Sequence, residues 1–333
     1  MKAGAMDRRR GATWLCVAVA LIAVTACTPA AGSPIGVRHG SGRPVVVTTV
    51  APITDIVRTV VGTDATVVGL IPEGVDSHTF EPSPATIRAL AGADALFMDG
   101  LHLEGSTKEQ AQANLPSGAP IVELGNRTIM PQDYAFDFSF PRSGGDPNPH
   151  LWMSPRYARR FAQIVRDEMV RLDPRHARGY RDRFVRYAGV LDHLDAAIHA
   201  SINSIPPARR VLLTYHDAFA YFARDYGMKV LGAVQPSDFS EPSAGEVRAL
   251  IDQLRRTRVP AIFGSEVFPS TVLAQVARET GVHYVDKLRD DELPGEPGAA
   301  NHTYVGLMIQ DVELITSALG GDPEPLRSLR SQP

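Results

Sequence analysis

Apolar positions along this chain change their period many times, and each change marks an element. "PVVVTTVAPI", residues 44–53, is a continuous β-branched run and predicts a buried strand. "ITDIVRTVVG" follows with helical spacing and a closing glycine. "ATVVGLIP", "DALFMDG" and "APIVELG" predict three further strands. Between the first two of these, "SPATIRALAGA" predicts a short helix with Ser83 as its cap and Pro84 in its first turn. Strands alternating with short helices point to a parallel α/β sheet with right-handed crossovers.

Residues 126–149 break this rhythm, being irregular and rich in Gly, Pro and Asp. "PRYARRFAQIVRDEMVRLDP" then predicts a helix. The segment after it is the longest clean amphipathic stretch. Tyr180, Phe184, Tyr187, Leu191, Leu194 and Ile198 alternate steps of four and three, which makes one sustained apolar seam. At 1.5 Å per residue its roughly 27 residues reach about 40 Å, enough to run through a two-domain body. The second half repeats the α/β rhythm: "RVLLTY", "KVLGAV", "VPAIFGSE" and "VHYVDKL" as strands, interleaved with helical patterns, and "NHTYVGLMIQDVELITSAL" as a closing helix.

The expected fold is therefore α/β, with two lobes joined by one long rigid helix, each lobe a mostly parallel sheet flanked by helices. The expected boundaries are 44–174 for the first lobe, 175–205 for the linking helix, 206–322 for the second lobe and 323–333 for a tail.

The N-terminus changes the picture by setting the compartment. Lys2, Arg8, Arg9 and Arg10 precede the apolar run "TWLCVAVALIAVTA". That run is shorter than the roughly 20 residues of a membrane span and fits a signal peptide over residues 1–26. It ends in "VTAC", which resembles a bacterial lipobox and makes Cys27 the expected acylated first residue. A plain secretory signal cleaved nearby is the alternative. The other cysteine, Cys16, lies inside the signal, so no disulfide is expected in the mature chain. Residues 28–43 are small, polar and rich in Gly and Pro, and with Cys27 they read as a lipidated tether, 27–43. A monomer is expected, facing the extracytoplasmic (periplasmic) side and held to the membrane by lipid.

Composition excludes more than it selects. Hydrophobic content of 44% against 21% charged residues is that of a globular protein. Removing residues 1–26 leaves 30 basic groups against 36 acidic ones, which disfavours a nucleic-acid partner.

Candidate chemistry gathers on loops. His78 sits in "EGVDSHTFEPSP", a segment stiffened by Pro82 and Pro84. His150 follows Pro149 and precedes Pro155. His216 ends the strand "RVLLTY", and Asp290 and Asp291 follow the strand "VHYVDKL". Ligands of open α/β sheets collect at the carboxyl ends of strands. Neutral imidazole suits zinc, copper, nickel or iron, and three imidazoles with one carboxylate suit tetrahedral zinc. A carboxylate binding through both oxygens would extend the site toward manganese. Glu266, at another strand end, and Asp290 are candidates for supporting the ligands rather than binding. His102, His176, His193, His199, His283 and His302 have no comparable loop and read as non-ligands.

"DSHTFEPSP", "NPHLWMSP", "TYHDAFAYFARDYG" followed by "EPSAGE", and "LRDDELPG" occur in this order. With them the chain resembles the solute-binding proteins of zinc and manganese ABC transporters, the cluster A-I metal-binding lipoproteins and adhesins, over about residues 44–320. The resemblance implies a metal between two lobes, held by His78, His150, His216 and Asp291, and an ABC permease as partner. Residues 103–149 contain no histidine, so the His-rich loop of many zinc-specific members is absent. The third ligand is a histidine where many manganese members carry glutamate, and the nitrogen-rich set favours zinc over manganese. A metal-dependent hydrolase and a surface adhesin are the rival readings. Four protein ligands would leave a hydrolytic zinc no open position for water.

Overall fold

The computed structural model describes residues 42–330 apart from 238 and 266–270. The signal segment, Cys27 and Glu266 lie outside the described residues. Two four-stranded parallel sheets form the frame. The first contains β1 (Val45–Thr48), β2 (Thr66–Gly69), β3 (Ala95–Met98) and β4 (Ile121–Glu123), in the order β2-β1-β3-β4. The second contains β5 (Val211–Thr214), β6 (Lys229–Ala233), β7 (Ala261–Ser265) and β8 (His283–Leu288), in the order β6-β5-β7-β8. The two orders are the same once each sheet is counted from its own first strand.

Helices connect the strands. In the first half these are α1 (Ala51–Val61), α2 (Pro84–Ala91) and α3 (Gly105–Asn114), followed by α4 (Pro155–Leu172) and α5 (Ala177–Ser204). In the second half come α6 (Ala220–Tyr226), α7 (Ala244–Thr257), α8 (Thr271–Thr280), α9 (Tyr304–Leu319) and α10 (Glu324–Arg330). No helix among the described residues is long and apolar enough to cross a membrane.

Strand faces alternate as the pleat requires. Val46, Phe97, Leu212 and Phe263 point into one continuous core. Their neighbours Val47, Leu96 and Met98 join a small cluster on the far side of the first sheet. Leu213 and Ile262 join the equivalent cluster of the second sheet. The continuous core runs through α5, whose whole predicted seam from Tyr180 to Ile198 is buried. α5 packs against α1 and α4 on one side and against α6, α9 and α10 on the other. Segment 323–333, read as a tail, contains α10, and Leu326 of that helix is fully buried in the shared core.

Three local readings differ from the structure. The run 44–53 is a strand only to Thr48; α1 starts at Ala51 with Pro52 in its first turn, where a missing N–H costs nothing. α6 starts at Ala220 rather than at Asp217, because Asp217 is engaged in side-chain contacts described below; it ends as expected on Gly227, at φ 68. α3 carries almost no apolar stripe, with only Thr107 and Ala111 buried, and so gave no periodic signal. The cap at Ser83 is as expected, its hydroxyl accepting from Thr86 N.

The seam of α5 is expected to dominate stability. Leu191→Ala should lower the unfolding free energy by about 3 kcal/mol. A change at Val185, 68% exposed on the same helix, to Asn should cost less than about 0.5 kcal/mol. Urea denaturation of the two variants checks this, and equal losses would contradict a shared core built on this helix.

Candidate metal centre

The candidate residues meet where strand ends of the two sheets face each other. Behind β2, the Asp76 carboxylate accepts from His78 N at 2.9 Å and from Thr79 Oγ1 at 3.0 Å, a local turn that fixes the His78 backbone. His150 follows Pro149 and opens a short 3-10 turn over Leu151–Met153 that leads into α4. His216 stands two residues past β5, and Asp290 and Asp291 lie just past β8.

Three histidines converge. His78 Nε2 lies 3.3 Å from His150 Nε2, and His216 Nε2 lies 2.9 Å from the same atom. Among the described residues these three form the one group of His, Cys, Asp or Glu donors close enough together to hold an ion, all within 4.8 Å of one another. Neither aspartate is near enough to all three to join that group. Asp290 Oδ2 is 3.6 Å from His216 Nε2, and both side chains are buried. Asp291 Oδ2 accepts from Ser77 N at 3.3 Å, which ties it to the His78 turn. Its Oδ1 is buried without a hydrogen-bond partner.

The outer ring nitrogens determine what the inner ones can do. Asn148 Nδ2 donates to Asp137 Oδ2 (3.1 Å) and to Asp217 O (2.6 Å), so its amide orientation is set and Oδ1 faces His150. That oxygen lies 2.9 Å from His150 Nδ1, which must therefore carry the proton. Gln235 Oε1 lies 2.5 Å from His216 Nδ1 and does the same for that ring. With Nδ1 so committed, Nε2 of each ring is turned toward the other, and a proton or a cation can lie between them.

Burial and charge act on each group differently. Burial, then the charge on His216, pushes the His78 imidazole well below its ordinary value. His150 is lowered well below for the same reasons, with His78 adding to the effect. Burial also works against charge on His216, yet Asp290, the Gln235 hydrogen bond and Asp291 together raise it. Asp291 is pushed up to about 7 by burial and by Asp290. Asp99, just past β3, has both carboxylate oxygens buried and unpartnered; burial and then Glu104 push it well up.

Several supporting residues carried no signal in the sequence reading. Trp152 Nε1 donates to Asp290 O at 2.8 Å, linking the His150 turn to the acidic loop of the second sheet. Tyr304 Oη, from the start of α9, donates to Trp152 O at 2.6 Å. The irregular segment before His150 is pinned to the second sheet: Ser139 N donates to Asp217 Oδ2 at 2.8 Å and Ser139 Oγ to Gln235 O at 2.7 Å. Asp137 is raised to about 9 by burial and by Asp217. Proximity to His150 could have flagged Asn148. Gln235 is 19 residues from His216 and reaches it only because β5 pairs with β6. Other histidines are paired elsewhere: His176 with Asp173, His199 with Asp195, His102 with Asp146 and His302 with Glu73.

Known proteins resemble this chain over most of its length. Residues 46–318 match the family model described as zinc-uptake complex component A, periplasmic. The zinc-binding protein TroA of Treponema pallidum (strain Nichols) is 31% identical over 310 residues, covering 89% of this chain and 98% of that protein. Its solved structure superposes with a TM-score of 0.76 over 84% of this chain and 99% of that one, at 30% identity. The iron-binding protein YfeA of Yersinia pestis is 30% identical, covering 83% of this chain and 86% of that protein. The manganese-binding lipoprotein MntA of Bacillus subtilis (strain 168) is also 30% identical, covering 91% and 97%. The matched family is one of metal-binding uptake components, not of enzymes, which sets the hydrolase reading aside. The chain belongs to the zinc-uptake component A family, the metal-binding solute-binding proteins of ABC transporters.

Proposed function

We infer that this protein captures one divalent transition-metal ion outside the cytoplasm, zinc in preference to manganese, and hands it to an ABC permease. His78, His150 and His216 are the nitrogen ligands through Nε2, and Asp291 is the fourth. Acylation at Cys27 and the tether 27–43 hold the monomeric body near the membrane.

One observation carries this reading. Two rings whose Nδ1 atoms are committed to amide oxygens turn their Nε2 atoms at each other across 2.9 Å, with a third ring 3.3 Å away. Ring nitrogens so placed need a positive charge among them, either a proton on His216 or a bound cation. A tetrahedral zinc at about 2.0–2.1 Å from each nitrogen sets them about 3.4 Å apart, near the 3.3 Å between His78 and His150 and somewhat beyond the 2.9 Å between His216 and His150. Asp291 Oδ1, buried without a partner beside the rings, supplies charge neutralisation and the fourth donor. Asp290 stays engaged with Asp291 N through Oδ1 at 3.0 Å, which favours a supporting role. Three nitrogens and one oxygen make a donor set suited to zinc; manganese prefers oxygen-rich sets.

Metal analysis of protein purified without added metal should find about one zinc per chain, and a His78→Ala/His216→Ala variant should hold none. Wild-type protein without metal, or a variant that keeps it, would contradict the assignment.

Protons compete with the ion for His216, which is raised, and for Asp291, raised to about 7. Both gain protons as pH falls through that range, so zinc affinity should be clearly weaker at roughly pH 5.5 than at 7.5. Equal affinity in a chelator competition at the two values argues against these ligands.

Gln235→Ala should weaken zinc binding about 10–100-fold by freeing the His216 ring, while Gln235→Glu keeps an acceptor and most of the affinity. The same competition assay reads both variants, and unaltered binding by the alanine variant would remove Gln235 from the site.

A further inference from the structure

The three imidazoles face more than carboxylates. Phe140 lies 5.5 Å from His78 and 5.8 Å from His150, centroid to centroid. Phe239 stacks on His78 at 4.3 Å and 17°, and lies 6.5 Å from His216. The two phenyl rings are 6.0 Å apart. Each candidate nitrogen ligand therefore has a phenyl ring against it, and His78 has two.

Phe239 reaches this place through an uncommon backbone. Its φ is +58°, a left-handed conformation that bulky residues rarely adopt. Its N–H donates to Pro236 O at 3.0 Å. Such strain persists only where surrounding contacts hold it, and it gathers at functional sites. Here the contact that holds it is the stack on His78. Beyond the rings lies a cavity of about 320 Å³, bordered by His78, Phe140 and Phe239 and by Leu101, Pro141 and Pro149. That space is large enough for several waters at roughly 30 Å³ each.

We propose that Phe140 and Phe239 set metal specificity by keeping these waters off the bound ion. The inference rests on the metal-capture reading above and adds a selection rule to it. Phe140 and Phe239 border both the imidazoles and the cavity, and so occupy space from which extra water ligands would approach. An ion satisfied by four protein donors, such as zinc, loses nothing by this. An ion that favours six oxygen-rich positions, such as manganese, is left under-coordinated. The Phe239 turn lies in the second half of the chain and Phe140 in the first, so the cover is complete only when the two halves are together.

The test compares wild-type protein with Phe239→Ala, Phe239→Leu and Phe140→Ala. Zinc and manganese affinities are measured by chelator competition, and waters on saturating bound manganese by water-proton relaxation. Thermal melts followed by circular dichroism verify folding. Phe239→Ala should lower the zinc-to-manganese affinity ratio about tenfold and add at least one water to bound manganese. Phe239→Leu, which keeps apolar bulk without the flat ring, should move both readouts less and in the same direction; it carries the test if the alanine variant does not fold. A folded Phe239 variant that binds zinc with the wild-type ratio and hydration overturns the proposal and leaves the capture reading intact. Wild-type protein that binds neither ion overturns both.

Discussion

The molecule is organised around the cost of setting three imidazoles nose to nose, two of them buried and His78 half-buried. Taken out of water, His78 and His150 lose their tendency to hold a proton, and each faces another ring nitrogen at about hydrogen-bond distance. Amide oxygens from Asn148 and Gln235 take the outer protons, so the inner nitrogens are left as acceptors. Acceptors facing acceptors in a low-dielectric pocket are unfavourable without a shared positive charge. His216 shows the alternative means of relief, since the neighbouring aspartates raise it toward a proton of its own. Ion and proton thus compete for the same atoms.

Holding such an arrangement requires a scaffold that does not relax. The continuous core along α5 joins both sheets, so the strand ends that carry His78 and His216 are parts of one packed body. Cross-links reinforce it near the site. Trp152 reaches from the His150 turn to Asp290 O, Tyr304 supports Trp152, and Asp55 Oδ2 accepts from Tyr304 N at 2.8 Å across the α1–α9 contact. The indole and phenol bonds connect the His150 turn to the acidic loop through neutral groups, which adds rigidity without adding charge. Amide acceptors rather than carboxylates behind the rings act in the same sense: they orient the ligands and leave the negative charge to Asp290 and Asp291.

The two sides of the centre then differ in kind. The acidic loop past β8 offers charge and hydrogen bonding, while Phe140 and Phe239 offer only apolar surface. On the proposed reading, a site assembled this way discriminates through what it withholds as well as through what it donates. The missing His-rich loop between the first and second histidines places still more weight on the permanent centre.

Much of this was legible from residue order alone, because it depends on short-range chemistry. Period-two and helical spacing reveal strands and helices wherever one face is apolar, as in β1 and the α5 seam. Histidines beside prolines, and acids after a β-branched run, mark loops at strand ends without any knowledge of the partner sheet. α3 escaped because a polar helix with two buried residues has no stripe to detect. Gln235 and Phe239 escaped because strand pairing and a left-handed turn, not local sequence, bring them to the rings. The sequence by itself determined the parts: which elements form, which loops carry nitrogen and oxygen donors, and that both halves contribute. Only the tertiary structure decided how those donors face one another, which oxygens orient the rings and which aromatic groups cover them, since those relations arise from packing between segments far apart in the chain.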